Sequence, residues 1–175
     1  MAIRNIVTIE DEILTKKSRP VTNFDGRLAE LIDDMLETMK SAVGCGLAAP
    51  QVGILRRIVV IDVGEGPIEM VNPEIIEESG EQRETEGCLS LPGQYGITLR
   101  PMKVTAKAQD RNGNWSEIEG EGLKARAICH ELDHLDGILL PDRAEEMFES
   151  EEVRPSEEKT QPPEEVRPLE EKESL

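Results

Sequence analysis

The chain's only two histidines, His130 and His134, stand in a single pentapeptide, His130-Glu131-Leu132-Asp133-His134. On a helix, positions four apart lie about 40° from each other around the axis, so both imidazoles project from one face. Such a face can grip a single metal ion. Glu131 sits roughly 60° from His134 on the flank of that face, too far round to be a natural ligand. Its carboxylate can reach a water on the metal, where a general base is needed. The pentapeptide therefore predicts a helix, running from about Glu121 to Leu135 and stopping near Gly137, and it predicts a metallohydrolase.

The third ligand decides the kind of hydrolase. Zinc proteases with this helix usually take it from further along the chain, but Leu135-Asp136-Gly137-Ile138-Leu139-Leu140-Pro141 offers no histidine and soon runs into low complexity. Upstream, Glu86-Gly87-Cys88-Leu89-Ser90 supplies a thiolate. One Cys with two His leaves a tetrahedral position open, as a catalytic site requires. Further upstream stands Gly44-Cys45-Gly46-Leu47-Ala48-Ala49-Pro50-Gln51. In this order and spacing the three blocks resemble the three motifs of the peptide deformylase family, over residues 1 to about 148.

That resemblance implies a set of roles. Cys88, His130 and His134 would hold one divalent metal ion, iron(II) as the working metal, with zinc, nickel or cobalt able to substitute. Composition alone cannot choose, since thiolate-plus-imidazole sites accept several of these ions. Glu131 would be the general base, and the Gln51 amide with the backbone N–H of Leu89 would stabilise the tetrahedral oxygen. Gly44, Cys45, Gly46 and Gly87 would line the path of the substrate backbone. Leu123, Arg126 and Ala127 would surround the methionine side chain. The implied reaction is hydrolysis of the formyl amide of N-formyl-methionyl nascent polypeptides, transiently near the ribosome, releasing formate.

Spacing on the motif helix is compatible with such a pocket. Ile128, Leu132 and Leu135 cluster opposite the histidines, whereas Leu123 and Ala127 fall within about 60° of His130. A helix apolar on both sides is central and buried. From spacing alone, Leu123 and Ala127 read equally well as core or as a small apolar surface beside the metal.

The chain departs from the family pattern in three places. Cys129 stands before the first histidine, where Gln is usual, and Cys45 replaces a branched apolar residue between the two glycines. A C-terminal helix of the kind that docks some members on the ribosome is not recognisable. Glu86 and Arg100 look like a structural pair anchoring the metal segment, and Tyr95 follows the second motif where a side chain can face the peptide.

The net charge of -17 is uneven. From Glu145 onward there are twelve Glu against four basic residues. Glu151-Glu152-Val153-Arg154-Pro155 returns as Glu164-Glu165-Val166-Arg167-Pro168 after 13 residues. Such a segment has too little apolar surface to offset the entropy of ordering. The expected organisation is a catalytic domain at 1–148 and an acidic, disordered tail at 149–175. Three cysteines and no N-terminal apolar run argue against a secreted disulfide framework. No stretch approaches the roughly 18 apolar residues of a membrane span. No basic stripe interleaved with aromatics suggests direct nucleic-acid binding. A bacterial cytoplasmic enzyme is the expectation.

Alternating periodicities predict an α+β domain, with small mixed or antiparallel sheets around the central buried HExxH helix and an N-terminal helix. Residues 25–43 carry apolar side chains at helical spacing, with Asn23 or Asp25 as cap and Gly44 able to end the helix in the left-handed conformation. Strands are expected at Arg57–Val63, Met102–Ala108 and Trp115–Glu119, the last two joined by an Asn112-Gly113 turn. Two rival functions remain open at this point: a zinc endopeptidase using the same helix, and a non-catalytic metal-binding or interaction module.

Overall fold

The computed structural model describes residues 2–149. Apart from Glu149, the segment read as an acidic tail lies outside the described residues. In chain order the elements are α1 (Gly26–Ser41), β1 (Gly46–Ala48), β2 (Ile58–Ile61), β3 (Ile68–Ser79), β4 (Gln82–Cys88), β5 (Leu91–Arg100), β6 (Lys103–Gln109), β7 (Trp115–Glu121), α2 (Leu123–Leu135), α3 (Leu140–Arg143) and β8 (Glu146–Glu149), with 3-10 turns at Glu12–Thr15 and Ala49–Val52.

Asp25 caps α1, its carboxylate accepting from Leu28 N at 3.1 Å. The stripe Leu28, Ile32, Met35 and Met39 is buried. The helix ends in a Schellman turn, with Val43 N donating to Lys40 O and Gly44 N to Met39 O, both at 3.0 Å. The residue in the left-handed conformation is Val43, at φ 58°, which corrects the expectation for Gly44. Gly44 is needed for a different reason: a Cβ there would lie 2.7 Å from Leu89 Cδ1.

Two antiparallel sheets follow, one in the order β1-β2-β3-β6-β7 and one in the order β4-β5-β8. The first is covered on both faces, which explains the unbroken apolar run of β2. Ile58 and Val60 pack with Leu47 against α1, while Val59 and Ile61 pack with Ala48 against α2. Successive side chains on a strand point to opposite faces, so one β-branched tetrapeptide serves two cores. The expected Arg57–Val63 strand is trimmed to these four residues. The other two expected strands are found as β6, shifted by one residue to Lys103–Gln109, and β7, extended to Glu121; they are joined by a turn with Gly113 at φ 88° and its N–H on Asp110 O.

The metal-motif helix is central, as expected: ten of its thirteen residues are buried. It starts two residues later than expected, after Gly122 at φ 64°. Gly137, at φ 76°, turns the chain beyond its end, where a Cβ would press on the Thr15 carbonyl. The second sheet stands across from it, so that the last residue of β4, Cys88, faces the histidine side of α2.

Candidate metal centre

Three side chains from two elements converge. Cys88 ends β4, just before the Leu89-Ser90 hairpin into β5; His130 and His134 are successive turns of α2. Cys88 Sγ lies 3.3 Å from His134 Nε2, and one donor atom from each of the three residues falls within 4.8 Å of the others. Among the described residues no other group of three or more His, Cys, Asp or Glu side chains comes together in this way. Cys45 and Cys129 stay outside it: Cys45 is exposed, and Cys129 is buried, where burial pushes its thiol up to about 11.

The histidines are held differently. His130 directs Nδ1 at Glu86 Oε1, 2.9 Å away, which leaves Nε2 for a metal. His134 Nδ1 is buried without a hydrogen-bond partner among the described residues. Burial pushes His134 down to about 3, so the ring is in the neutral form a ligand needs. Glu86 is the hub of the supporting network. It accepts from Thr98 Oγ1 at 2.8 Å, from Arg100 Nε at 2.8 Å and Nη2 at 3.0 Å, and from Arg126 Nη1 at 2.8 Å. Burial works against its charge, yet the hydrogen bonds from His130 and Arg100 and the Arg100 charge hold the carboxyl well below the usual range. Asp133 takes Arg100 Nη1 at 2.8 Å and Arg143 Nη2 at 3.0 Å, locking the outer face of α2. The Glu86–Arg100 pair was expected; Thr98 and Asp133 carried no spacing signal that would have revealed them.

Glu131 is buried behind the cluster, and its Oε1 has no hydrogen-bond partner among the described residues. Burial pushes this carboxyl up to about 7. Gly46 on β1 covers it so closely that a Cβ at position 46 would collide with the carboxylate, lying 2.9 Å from Cδ. Gln51, in the 3-10 turn after β1, is buried with its amide fixed at both ends. Its Oε1 accepts from Ala48 N at 2.9 Å, and its Nε2 donates to Ser90 Oγ at 3.0 Å and stands 3.8 Å from Cys88 Sγ. Like Thr98 and Asp133, Ser90 had no role assigned from the sequence. The N-terminal segment buttresses this corner, with Val7 N on Gln51 O at 2.8 Å and Ile9 N on Ser90 O at 2.9 Å.

A cleft of about 410 Å³ opens onto this centre. Gly44, Cys45, Gly46, Gly87, Leu89, Leu123, Arg126 and Ala127 all border it, together with Cys88, His130, Glu131 and Tyr95. Gln51 lies behind its wall rather than on it. Leu123 is 55% exposed at the mouth and Ala127 is buried at the base. Gly87 lies against the Tyr95 ring, which a Cβ would approach to 2.9 Å. Arg126 borders the cleft, and its guanidinium is bonded to Glu86, to Thr98 Oγ1 at 2.6 Å and to Gln82 Oε1 at 3.2 Å.

A soft thiolate and two imidazoles suit a borderline divalent ion, which Cys88, His130 and His134 would hold with one ligand fewer than a closed tetrahedral site. The buried, unpartnered Glu131 oxygen next to His130 in the chain fits a catalytic use of such a site. Comparison with known proteins agrees. The family model of polypeptide deformylase matches residues 3–149. A peptide deformylase of Caldicellulosiruptor bescii is 58% identical over 153 residues, 87% of this chain and 92% of the relative. The crystal structure of a peptide deformylase from Legionella pneumophila superposes with a TM-score of 0.79 at 49% identity, over 81% of this chain and 86% of that one. That of the Thermotoga maritima peptide deformylase gives 0.81 at 42% identity, over 83% and 100%. With the sequence match spanning nearly every described residue and the fold shared with solved members, the chain belongs to the peptide deformylase family, a family of metal-dependent amide hydrolases.

Proposed function

We propose that this chain removes the formyl group from N-formyl-methionyl polypeptides, with Cys88, His130 and His134 as metal ligands and Glu131 as general base. The carrying observation is the convergence at one end of the cleft: the Cys–His–His cluster, a buried carboxyl against Gly46, and the fixed Gln51 amide. A bound divalent ion supplies a Lewis acid that activates water and polarises the formyl oxygen.

Glu131, pushed by burial to about 7, is poised to take a proton from the attacking water and return it to the leaving α-amine near neutral pH. The Gln51 carbonyl is committed to Ala48 N, so its NH₂ is the group offered to a developing oxyanion. The Leu89 N–H, in the hairpin beside Cys88, is the proposed second donor. One such donor is typically worth about 3 to 4 kcal/mol of barrier. β1 is an edge strand with Gly46 facing Glu131, so an extended peptide can lie close to the reacting centre. Ala127 and the stem of Arg126, with Leu123 at the rim, form an apolar wall for an unbranched side chain.

Iron(II) is the proposed working metal, with zinc, nickel or cobalt as substitutes, because this donor set accepts several such ions. The proposed setting is the bacterial cytoplasm, on nascent chains near the ribosome; the relatives compared are bacterial, and no helix among the described residues is long and apolar enough to cross a membrane. We also propose that residues 1–148 form the catalytic domain and that residues 149–175 are an appended tail, although strand β8 reaches Glu149.

An anaerobic assay with added iron(II) tests the reaction. An N-formyl-methionyl peptide should release formate, and the N-acetyl analogue should react at least about a hundredfold more slowly, since a misplacement near 1 Å costs that much. Cleavage of internal peptide bonds without formate would instead support an endopeptidase, which the family match does not favour.

A further inference from the structure

The family assignment and the ligand cluster leave unexplained why an arginine sits in the wall of an apolar cleft. Arg126 is 5% exposed and borders the cleft, yet its guanidinium is taken up by Gln82, Glu86 and Thr98. The answer lies in how β4 meets α2. Arg126, His130 and His134 follow one another at four-residue steps along one face of the helix. Gln82 and Glu86 are the two buried residues of β4, with residues 83–85 exposed between them, and Cys88 follows after a break in register between Gly87 and Cys88.

The two rows are bonded level by level. Gln82 donates to Gly122 O at 2.9 Å and accepts from Arg126 Nη2 at 3.2 Å. Glu86 accepts from Arg126 Nη1 at 2.8 Å and pairs with His130 Nδ1 at 2.9 Å. Cys88 stands 3.3 Å from His134. From Glu86 to Cys88 two residues of strand advance about 6.6 Å, close to the roughly 6 Å of helix from His130 to His134. From Gln82 to Glu86 the strand advances about 13 Å, and the long Arg126 side chain spans that wider interval by bonding both residues. Arg126 is the rung that ties the first two levels together, since its planar fork reaches Gln82, Glu86 and Thr98 at once.

We propose that Arg126 is a positioning residue of the metal centre: by fixing Glu86 against β4 it sets the orientation of His130 and the register that brings Cys88 opposite His134, while its stem serves as cleft wall. The proposal rests on Cys88, His130 and His134 being the ligands. It separates two functions in one side chain, because the stem faces substrate and the guanidinium faces the ligand support.

The test uses Arg126→Met, which keeps a long unbranched apolar stem and removes the fork, and Arg126→Lys, which keeps a charge but not the three-way reach. Metal affinity is measured for zinc(II) and cobalt(II) by competition with a chromophoric chelator, together with the visible spectrum of the cobalt(II) form. Supporting partners of metal ligands typically govern affinity or activity by about 10 to 100-fold. Arg126→Met should therefore lose at least about tenfold in affinity and shift the cobalt bands. Its KM for a formyl-methionyl peptide should stay near the wild-type value while kcat falls. Arg126→Lys should recover part of the affinity. Wild-type affinity and spectrum in Arg126→Met would overturn the proposal and leave Arg126 as cleft wall alone. Should Arg126→Met fail to fold by circular dichroism of the metal-free protein, Arg126→Lys decides: reduced affinity with an intact fold supports the proposal, and wild-type affinity and spectrum overturns it. His130→Ala separates the two readings. If it retains metal at wild-type affinity, the ligand assignment fails; if it loses metal while Arg126→Met does not, only the role of Arg126 fails.

Discussion

At the scale of single residues the centre divides into groups that would hold a metal and groups that would act beside it, and the two classes respond differently to removal. Cys88 contributes the only thiol of the cluster, and nothing adjacent can replace its sulfur, since Cys45 and Cys129 lie outside the group. Cys88→Ala should therefore abolish metal retention through a desalting column, read by elemental analysis. Glu131 is buried with one oxygen unpartnered and is the proposed base, not a ligand. Glu131→Ala should keep one equivalent of metal and lose turnover by at least about a hundredfold, the lower range for general acid–base catalysis. If the metal leaves with Glu131 and stays without Cys88, the ligand assignment is wrong. The residues of the candidate cluster were readable in the sequence because their types are scarce: two histidines in one pentapeptide and three cysteines leave few combinations. Thr98, Ser90, Gln82 and Asp133 are equally involved in holding them, but their types are common and their bonds reach 12 to 40 residues along the chain, so no local pattern marks them. Arg126 was legible as a neighbour of the cleft; the direction of its guanidinium was not, because that depends on where β4 docks.

At the scale of elements, the loop from α1 into β1 carries a conformational cost that can be tested. Val43 adopts φ 58° and is 90% exposed, a combination with a β-branched side chain that finds no compensation in packing. The left-handed conformation costs roughly 1 to 2 kcal/mol for a residue with a Cβ, and glycine returns part of that through the entropy of the unfolded chain. Val43→Gly should stabilise the protein by about 0.5 to 1 kcal/mol in a denaturant titration at unchanged m-value; a loss of stability would mean that the Schellman turn needs the Val43 side chain. The expectation that Gly44 would take this position followed the usual preference at a helix end, which here yielded to the close approach of Leu89. Strong periodicity made α1, α2, β2, β6 and β7 readable. The strands missed have identifiable breaks. β3 contains Pro73, places Asn72 at φ 52° and shifts register twice, with the Asn72 side chain bonded across to Val21 and Gln109. β5 carries Pro92 and Gly93 directly after its first residue, the latter at φ 81°, and β8 is four residues inside an acidic run. Each breaks a local rule that tertiary pairing overrides.

At the scale of the whole molecule the question is where the working domain ends, and the structure bears on it through β8. This strand is the outer edge of the second sheet, pairing Gln94–Ile97 of β5 with Glu146–Glu149. Phe148 stacks on Tyr95 with ring centroids 6.2 Å apart, and Tyr95 in turn lies over Gly87, next to Cys88. Met147 packs at Gly96, where a Cβ would meet its sulfur at 2.8 Å, and Glu145 pairs with Arg83 at 2.7 Å across the same sheet. The chain just before residue 150 thus backs the cleft wall through Tyr95. Beyond it, residues 150–175 hold nine Glu, four basic residues and two copies of a proline-containing repeat, a composition with little apolar surface to dock. Two truncations should therefore diverge. Ending the chain after Ser150 should leave the melting temperature and turnover close to wild type. Ending it after Ala144 removes the Phe148–Tyr95 stack, an aromatic pair worth about 0.5 to 1.5 kcal/mol beyond its buried area, and frees the β5 edge. That form should melt several degrees lower, with a raised KM for a formyl-methionyl peptide because Tyr95 loses its support. Its metal content should hold, since Cys88, His130 and His134 all precede the cut. A loss of stability or turnover on removing only residues 151–175 would show that the acidic repeat packs on the domain; equal behaviour of both truncations would show that β8 gives the cleft no support.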